Sequence, residues 1–220
     1  EKGAAKAIIV KGKVSAMIDG KKVALKRGMW IPEGATVQTQ KKSFTKLLFI
    51  DKSSMNIGPD SKMKIDSFPK KDAGIITLIK GQIRSKVTKN YMDMKKKNKS
   101  KLFIKTKTAA MGVRGTDFMV SYNPVNKATS LITFEGAVAM AKMPRGNQNQ
   151  KSLERAVSAP SAVIVKKGQY SGATNQSERV TIPVKISPSQ IETLEKNEVP
   201  GTIKPSKKTS SKSKKTFKSI

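Results

Sequence analysis

Short runs of alternating apolar and polar residues recur along the first two thirds of the chain, each closed by turn residues. Val14, Ala16 and Ile18 alternate with polar positions, Asp19-Gly20 follows, and Val23 and Leu25 alternate on the return. A period of two around an Asp-Gly pair predicts a β-hairpin, because that pair accepts the positive φ angles of a two-residue turn. Gly28 and Pro32-Glu33-Gly34 punctuate next, and strand patterns follow over 36–39 and 43–50. The second of these holds Leu47-Leu48-Phe49-Ile50, an unbroken apolar run that predicts a strand covered on both faces. Asp51 to Ser54 turns into Met55-Asn56-Ile57, and Gly58-Pro59-Asp60-Ser61 turns into Met63-Lys64-Ile65. Two strands are expected on either side of Gly81, over 75–80 and 82–88, the latter with Ile83, Ser85 and Val87 on one face. Further strands are expected over 102–106, 117–122, 130–134 and 137–140, with Asn123-Pro124-Val125-Asn126 turning between the second and third. Rungs this short and regular imply an all-β fold, either a sandwich or a solenoid-like stack.

The rhythm changes toward the C-terminus. Residues 144–159 are polar and read as a loop or linker, while 163–165 and 180–186 read as strands. Ser187-Pro188-Ser189-Gln190 then announces a short helix, with Ser187 at the N-cap, Pro188 at the first helical position and Gln190 at the third. Ile191 and Leu194 give it one apolar face, and Pro200-Gly201 ends it. The expected organisation is a β domain over 8–142, a linker or loop over 143–162, a β/helix extension over 163–200 and a Lys/Ser-rich tail over 201–220. Such a tail buries too little apolar surface to fold alone and is expected to be disordered.

Charge changes the picture more than any motif. Lys and Arg number 45 against 15 Asp and Glu, a net charge of +30. Only Arg27, Arg84, Arg114, Arg145, Arg155 and Arg179 are arginine, so nearly all the excess is lysine. An ammonium group is a hydrated point charge, whereas the guanidinium fork reads bases and grips phosphates with fixed geometry. The balance therefore favours diffuse attraction to polyanions, or plain solubility, over specific readout. Two clusters are candidate anion contacts: Lys95, Lys96, Lys97, Lys99 and Lys101 in a basic loop, and Lys207, Lys208, Lys212, Lys214 and Lys215 in the tail. Tyr91 is the only aromatic residue between 89 and 101, so the stacking element of single-strand recognition is missing there.

Cysteine and histidine are absent, which removes disulfides, thiol nucleophiles, Cys/His metal sites and the commonest general base. No catalytic residue, metal ligand or cofactor site is expected. No window approaches the ~18 apolar residues of a membrane span. The N-terminus has no long apolar region of a signal peptide, so the chain is expected to be cytosolic or already processed.

The order of several segments resembles a known family. Gly12-Lys13-Val14, then Leu25, Gly28, Gly34 and Val37-Gln38-Thr39, then Phe49-Ile50-Asp51-Lys52-Ser53-Ser54-Met55 resemble the opening of the FecR-like domain of bacterial exported proteins. The resemblance continues through Gly58-Pro59-Asp60-Ser61 and Lys80-Gly81-Gln82-Ile83. Its sharpest part is Thr106, Ala109-Ala110-Met111-Gly112-Val113-Arg114-Gly115-Thr116-Asp117-Phe118, followed by Phe134-Glu135-Gly136-Ala137-Val138. The resemblance implies an all-β, solenoid-like fold outside the inner membrane. FecR regulators are transmembrane anti-sigma proteins that receive a signal from an outer-membrane transporter. This sequence departs from them in having neither a membrane helix nor a sigma-binding helical segment, so it is more similar to the stand-alone exported domains.

Arg114-Gly115-Thr116-Asp117 is the most chemical-looking cluster. One reading makes Arg114 a carboxylate or phosphate ligand oriented by Thr116 and Asp117. The other, which the glycines favour, is structural: Gly112 and Gly115 allow a tight bend, Arg114 pairs with a carboxylate, and Thr116 satisfies backbone groups. The Asp51 and Asp60 turns match no spaced calcium motif and read as side-chain-stabilised turns. Glu192 and Glu195 read as solvated, and Trp30 as a core residue unless it forms a stacking platform. The sum is an expectation of a non-catalytic, periplasmic or envelope-associated binding or scaffold protein. Its partners would be an envelope protein or an anionic polymer such as lipopolysaccharide, peptidoglycan or anionic lipid. A cytosolic nucleic-acid-associated protein, or a signal-receiving FecR-type domain lacking its anchor, are the alternatives.

Overall fold

The computed structural model describes residues 3–88 and 100–196. Its first eight strands are β1 (Ala5–Lys11), β2 (Val14–Ile18), β3 (Lys21–Ala24), β4 (Trp30–Ile31), β5 (Thr36–Thr39), β6 (Phe44–Phe49), β7 (Ser54–Ile57) and β8 (Lys62–Ser67). A long strand β9 (Gly74–Lys86) leads to β10 (Leu102–Lys105), β11 (Ala109–Val113), β12 (Asp117–Asn123), β13 (Ala128–Glu135) and β14 (Ala137–Lys142). Helix α1 (Gln150–Val157), strands β15 (Val163–Lys166), β16 (Gln169–Ala173) and β17 (Val184–Lys185), and helix α2 (Pro188–Lys196) complete the described residues.

The strands build two layers that share β9. One layer runs β4-β1-β6-β7-β9-β12-β13-β16-β17, and the other β3-β2-β5-β8-β9-β10-β11-β14-β15. All neighbours are antiparallel except β9 and β10. The chain crosses repeatedly from one layer to the other, so the fold is at once a sandwich and a stack of short rungs. Alternate side chains from both layers meet between them, including Leu47, Ile57, Ile65, Ile76, Ile83, Phe118 and Leu131, all fully buried.

β9 passes between layers because of one residue. Its first half pairs with β8 and β10, its second half with β7 and β12. Gly81 lies between them at φ +89°, and a Cβ there would sit 2.2 Å from the Ser61 hydroxyl and 2.6 Å from the Ser61 Cα. Only glycine takes that φ freely and fits the approach. The two strands expected around Gly81 are therefore one bent strand. Its inward set, Ile83, Ser85 and Val87, is buried as the alternation required.

Several expectations need correction. The 144–159 segment, read as a loop or linker, contains α1: the Asn149 side chain accepts from the Ser152 N–H at 3.0 Å, and Leu153 and Val157 are buried. The expected β/helix extension continues both layers, since β15 and β16 pair with β14 and β13. β6 is covered on one face only, with Leu48 38% exposed between buried Leu47 and Phe49. The strands covered on both faces are β10 and β11, where Phe103 and Ala110 join a second core under α1. Trp30 is not in the core but at the surface of β4. Strands β1, β4, β11 and β16 are not among the expected strands, and of 180–186 only Val184–Lys185 forms a strand. Helix α2 begins as its capping residues require, with the Gln190 N–H donating to the Ser187 hydroxyl. Its expected end at Pro200 and the tail lie outside the described residues.

Candidate binding surfaces

The Arg114-Gly115-Thr116-Asp117 segment joins β11 to β12, crossing from one layer to the other. Gly115 takes φ +59°, which fits the bend. Gly112 does not bend the chain. It lies inside β11, where a Cβ would meet the Ser100 hydroxyl at 2.6 Å and Val157 Cγ2 at 2.9 Å, so its missing side chain makes room for α1. The Thr116 hydroxyl donates to the carbonyls of Arg114 and Ala137, each at 3.1 Å, tying the bend to the start of β14.

Arg114 is exposed, and none of the ion pairs between described residues includes it. The arginine that matters is Arg84. On the outer face of β9 its Nε and one terminal nitrogen donate to the two Asp117 oxygens, both at 3.0 Å. Its guanidinium carbon lies 4.2 Å from the centre of the Phe134 ring. The other terminal nitrogen donates to the Leu194 and Glu195 carbonyls at 3.2 and 3.1 Å. One guanidinium thus joins β9, β12 and β13 and caps the last turn of α2, where the helix dipole is negative. The Arg84 side chain is 4% exposed. The sequence carried one hint of this: an arginine on a strand in a chain whose cations are almost all lysine.

Helix α2 rests on this layer lightly. None of its residues is buried, and a cleft of about 600 Å³ lies beneath it, lined by apolar groups of Ile132, Tyr170, Val184, Ile186 and Leu194. Glu192 pairs with Lys196 at 2.6 Å on the exposed side, and that pairing holds its carboxyl below its usual range.

Of the sequence-read anion contacts, only Lys101 is among the described residues. It is half-buried, and its ammonium donates to the Thr88 carbonyl at 3.3 Å. Burial lowers its pKa, nearby Asp51 opposes the shift, and Arg114 adds to it. Lys95, Lys96, Lys97, Lys99, Lys207, Lys208, Lys212, Lys214 and Lys215 lie outside the described residues. Elsewhere, Lys107, Lys142 and Arg145 flank a polar hollow of about 390 Å³ with Asn175 and Glu178, and burial lowers the Lys142 pKa. The Asp51 and Asp60 turns are held by short-range bonds: the Asp51 oxygens accept from the Ser53 N–H and hydroxyl at 2.9 and 2.8 Å, and the Ser61 hydroxyl donates to the Pro59 carbonyl at 3.0 Å. No group of three or more acidic residues suited to a metal occurs among the described residues. No described helix is long and apolar enough to cross a membrane.

Residues 35–139 match the protein family described as "FecR protein". No curated protein matches the chain. Two crystal structures of a "putative anti-sigma factor" from Parabacteroides distasonis ATCC 8503, at 2.50 and 1.65 Å resolution, share the fold. Each has a TM-score of 0.53 and 10% identity over 73% of this chain. The chain spans 63% and 64% of the length of those two solved chains.

Proposed function

We propose, starting from a chain that is a FecR domain protein over residues 35–139, that it works without catalysis as a binding or scaffold protein of the bacterial cell envelope. In this reading it lies outside the inner membrane and engages an anionic envelope polymer or an envelope protein. The observation that carries the reading is the charge, +30 with all but six of the 45 basic residues lysine, mounted on a rigid two-layer β frame. Flexible ammonium groups follow an irregular polyanion without fixed geometry, and their attraction weakens steeply with salt. The polar groups at the family-like bend support the non-catalytic part, since Asp117 is held by Arg84 from β9 and the Thr116 hydroxyl is bonded to main-chain carbonyls.

A titration against lipopolysaccharide and anionic liposomes at two salt concentrations tests it. Full-length chain should bind strongly at low salt and much more weakly near physiological salt, and removal of residues 202–220 should weaken binding without moving the melting temperature. Salt-indifferent binding, or tighter binding to DNA than to either envelope surface, would count against it. Recovery of the native protein in the cytosol alone would sink the envelope assignment. A second reading, a signal-receiving regulatory domain acting through a protein partner, draws support from the fold shared with the solved structures described as a "putative anti-sigma factor". Salt-insensitive capture of one protein partner from envelope extracts would favour it.

A further inference from the structure

Among the described residues nothing covers the outer face of the β4-β1-β6 end of the first layer, which is built differently from the rest. Register sets its side chains in three rows. Trp30 lies opposite Lys6 and Lys6 opposite Leu48; Ile9 lies opposite Lys46; Lys11 lies opposite Phe44. A register shift between Ala7 and Ile9 turns Ile9 outward while Ala5 and Ala7 stay buried, as a β-bulge does when it re-aims a side chain. Each row therefore pairs at least one large apolar side chain with a lysine. Ile9, Trp30 and Leu48 are 38%, 36% and 38% exposed. The Lys6 ammonium lies 5.8 Å from the centre of the Trp30 ring, and that of Lys11 5.4 Å from the Phe44 ring. The strands β4, β1, β6 and β7 contain no Asp or Glu.

We infer that this face is a peripheral membrane contact that lies on an anionic phospholipid bilayer. The inference rests on the envelope reading above and names a surface and partner for it. Large apolar groups beside ammonium groups suit the headgroup boundary: the rings and branched chains enter the acyl edge, and lysine stems lie along them with their charges at phosphate height. A second copy fits badly, because opposed faces would bring Lys6, Lys11 and Lys46 toward their own images with no carboxylate on these strands to receive them. Base stacking fits less well, because the rings of Trp30 and Phe44 each already carry an ammonium group.

Trp30 is the chain's only tryptophan, so its fluorescence reports on this face alone. Full-length protein is titrated with vesicles of phosphatidylcholine containing one third phosphatidylglycerol, and with pure phosphatidylcholine. The anionic vesicles should shift Trp30 emission to the blue and make it quenchable by brominated lipid; the neutral ones should not. Lys6→Gln and Lys46→Gln should each weaken partitioning about fivefold, the share of one interfacial lysine. Leu48→Ser should weaken it while leaving the melting temperature in place. Binding with Trp30 emission unmoved would overturn this surface yet keep the wider polyanion reading. Absence of vesicle binding would overturn the surface and leave the lipopolysaccharide titration to decide the rest. A larger Trp30 shift with single-stranded DNA, or a shift that tracks protein concentration without vesicles, would overturn it in favour of nucleic acid or self-association.

Discussion

One row of outward side chains crosses the first layer from β1 to β17: Ile9, Lys46, Asn56, Arg84, Met119, Ile132, Tyr170 and Val184. At Arg84 and Met119 the row is sealed, before it reopens at the cleft beneath α2, where Val184 is 56% exposed. Arg84 is bound to Asp117, laid on Phe134 and capped onto α2, and Met119 is 9% exposed. From Lys46 back to Ile9 it is open. Both halves are antiparallel sheet, and the β-bulge at Ile9 changes which side chain faces outward without covering or uncovering the face. The difference is chemical: in one half an arginine has been given a carboxylate, a ring and a helix terminus, and in the other lysines have been left beside apolar groups without acids. A charge fully engaged inside the protein is a structural element, whereas one left exposed beside apolar surface is available to something else.

The most drastic way to break the contrast is to remove the centre of the sealed half. Arg84→Met should cost about 3–5 kcal/mol, because it leaves Asp117 half-buried without its main partner. Urea unfolding measures it, and adding Asp117→Leu should recover much of the loss. A cost below about 1 kcal/mol would mean that the guanidinium contributes little to holding these strands. The next largest effect should come from the bend that places Arg84. Gly81→Ala forces a Cβ onto Ser61 at a positive φ and should cost about 2–4 kcal/mol by denaturant titration.

What the sequence disclosed follows the range of the interactions involved. The β2–β3 hairpin was legible because its cause is local: Asp19 and Gly20 take φ 48° and 75°, as the Asp-Gly pair implied. The start of α2 was legible for the same reason, with Ser187 and Gln190 bonded as capping partners. Helix α1 was missed because its only buried anchors are Leu153 and Val157, too sparse a pattern inside a polar stretch. Leu48 was misplaced because a run of apolar residues does not say whether anything covers the second face. The Arg84–Asp117 pair joins residues 33 apart in sequence, so the segment around Asp117 pointed to a bend while concealing the partner that anchors it.

The inner side of β12 offers a smaller test, in which a group is sealed without being satisfied. Tyr122 is 2% exposed, and its hydroxyl has no hydrogen-bond partner among the described residues. Tyr122→Phe removes that orphan and should stabilise the protein by about 1 kcal/mol. Burial raises the phenol's pKa in the folded protein, while the unfolded chain ionises near its ordinary value of about 10. The folded state therefore keeps a proton that the unfolded state loses above that value. Stability linked to Tyr122 is complete below about pH 10 and declines as pH rises through the folded pKa. The phenylalanine variant should lack that part of the alkaline decline, seen by comparing unfolding at pH 9 and 11. An identical decline in both proteins would show that the phenol does not titrate as its burial implies.

The finest comparison sets one residue from each half against the other. Met119 and Leu48 both point outward from the first layer, but Met119 is 9% exposed within the sealed half and Leu48 38% exposed in the open one. Met119→Ser takes apolar surface out of a covered site and breaks the contact from the Gln82 amide to its sulfur; it should cost about 2 kcal/mol or more. Leu48→Ser removes a side chain that already meets water and packs only beside neighbours on its own face, so its cost should stay below about 1 kcal/mol. Thermal melts of the two single variants read the difference directly. Near-equal losses would mean that the open half contributes to folding as much as the sealed half does, and its exposed apolar groups would then need no partner to account for them. A clear separation would leave Leu48 with little to do for the fold, which is what a residue kept for an external surface should show.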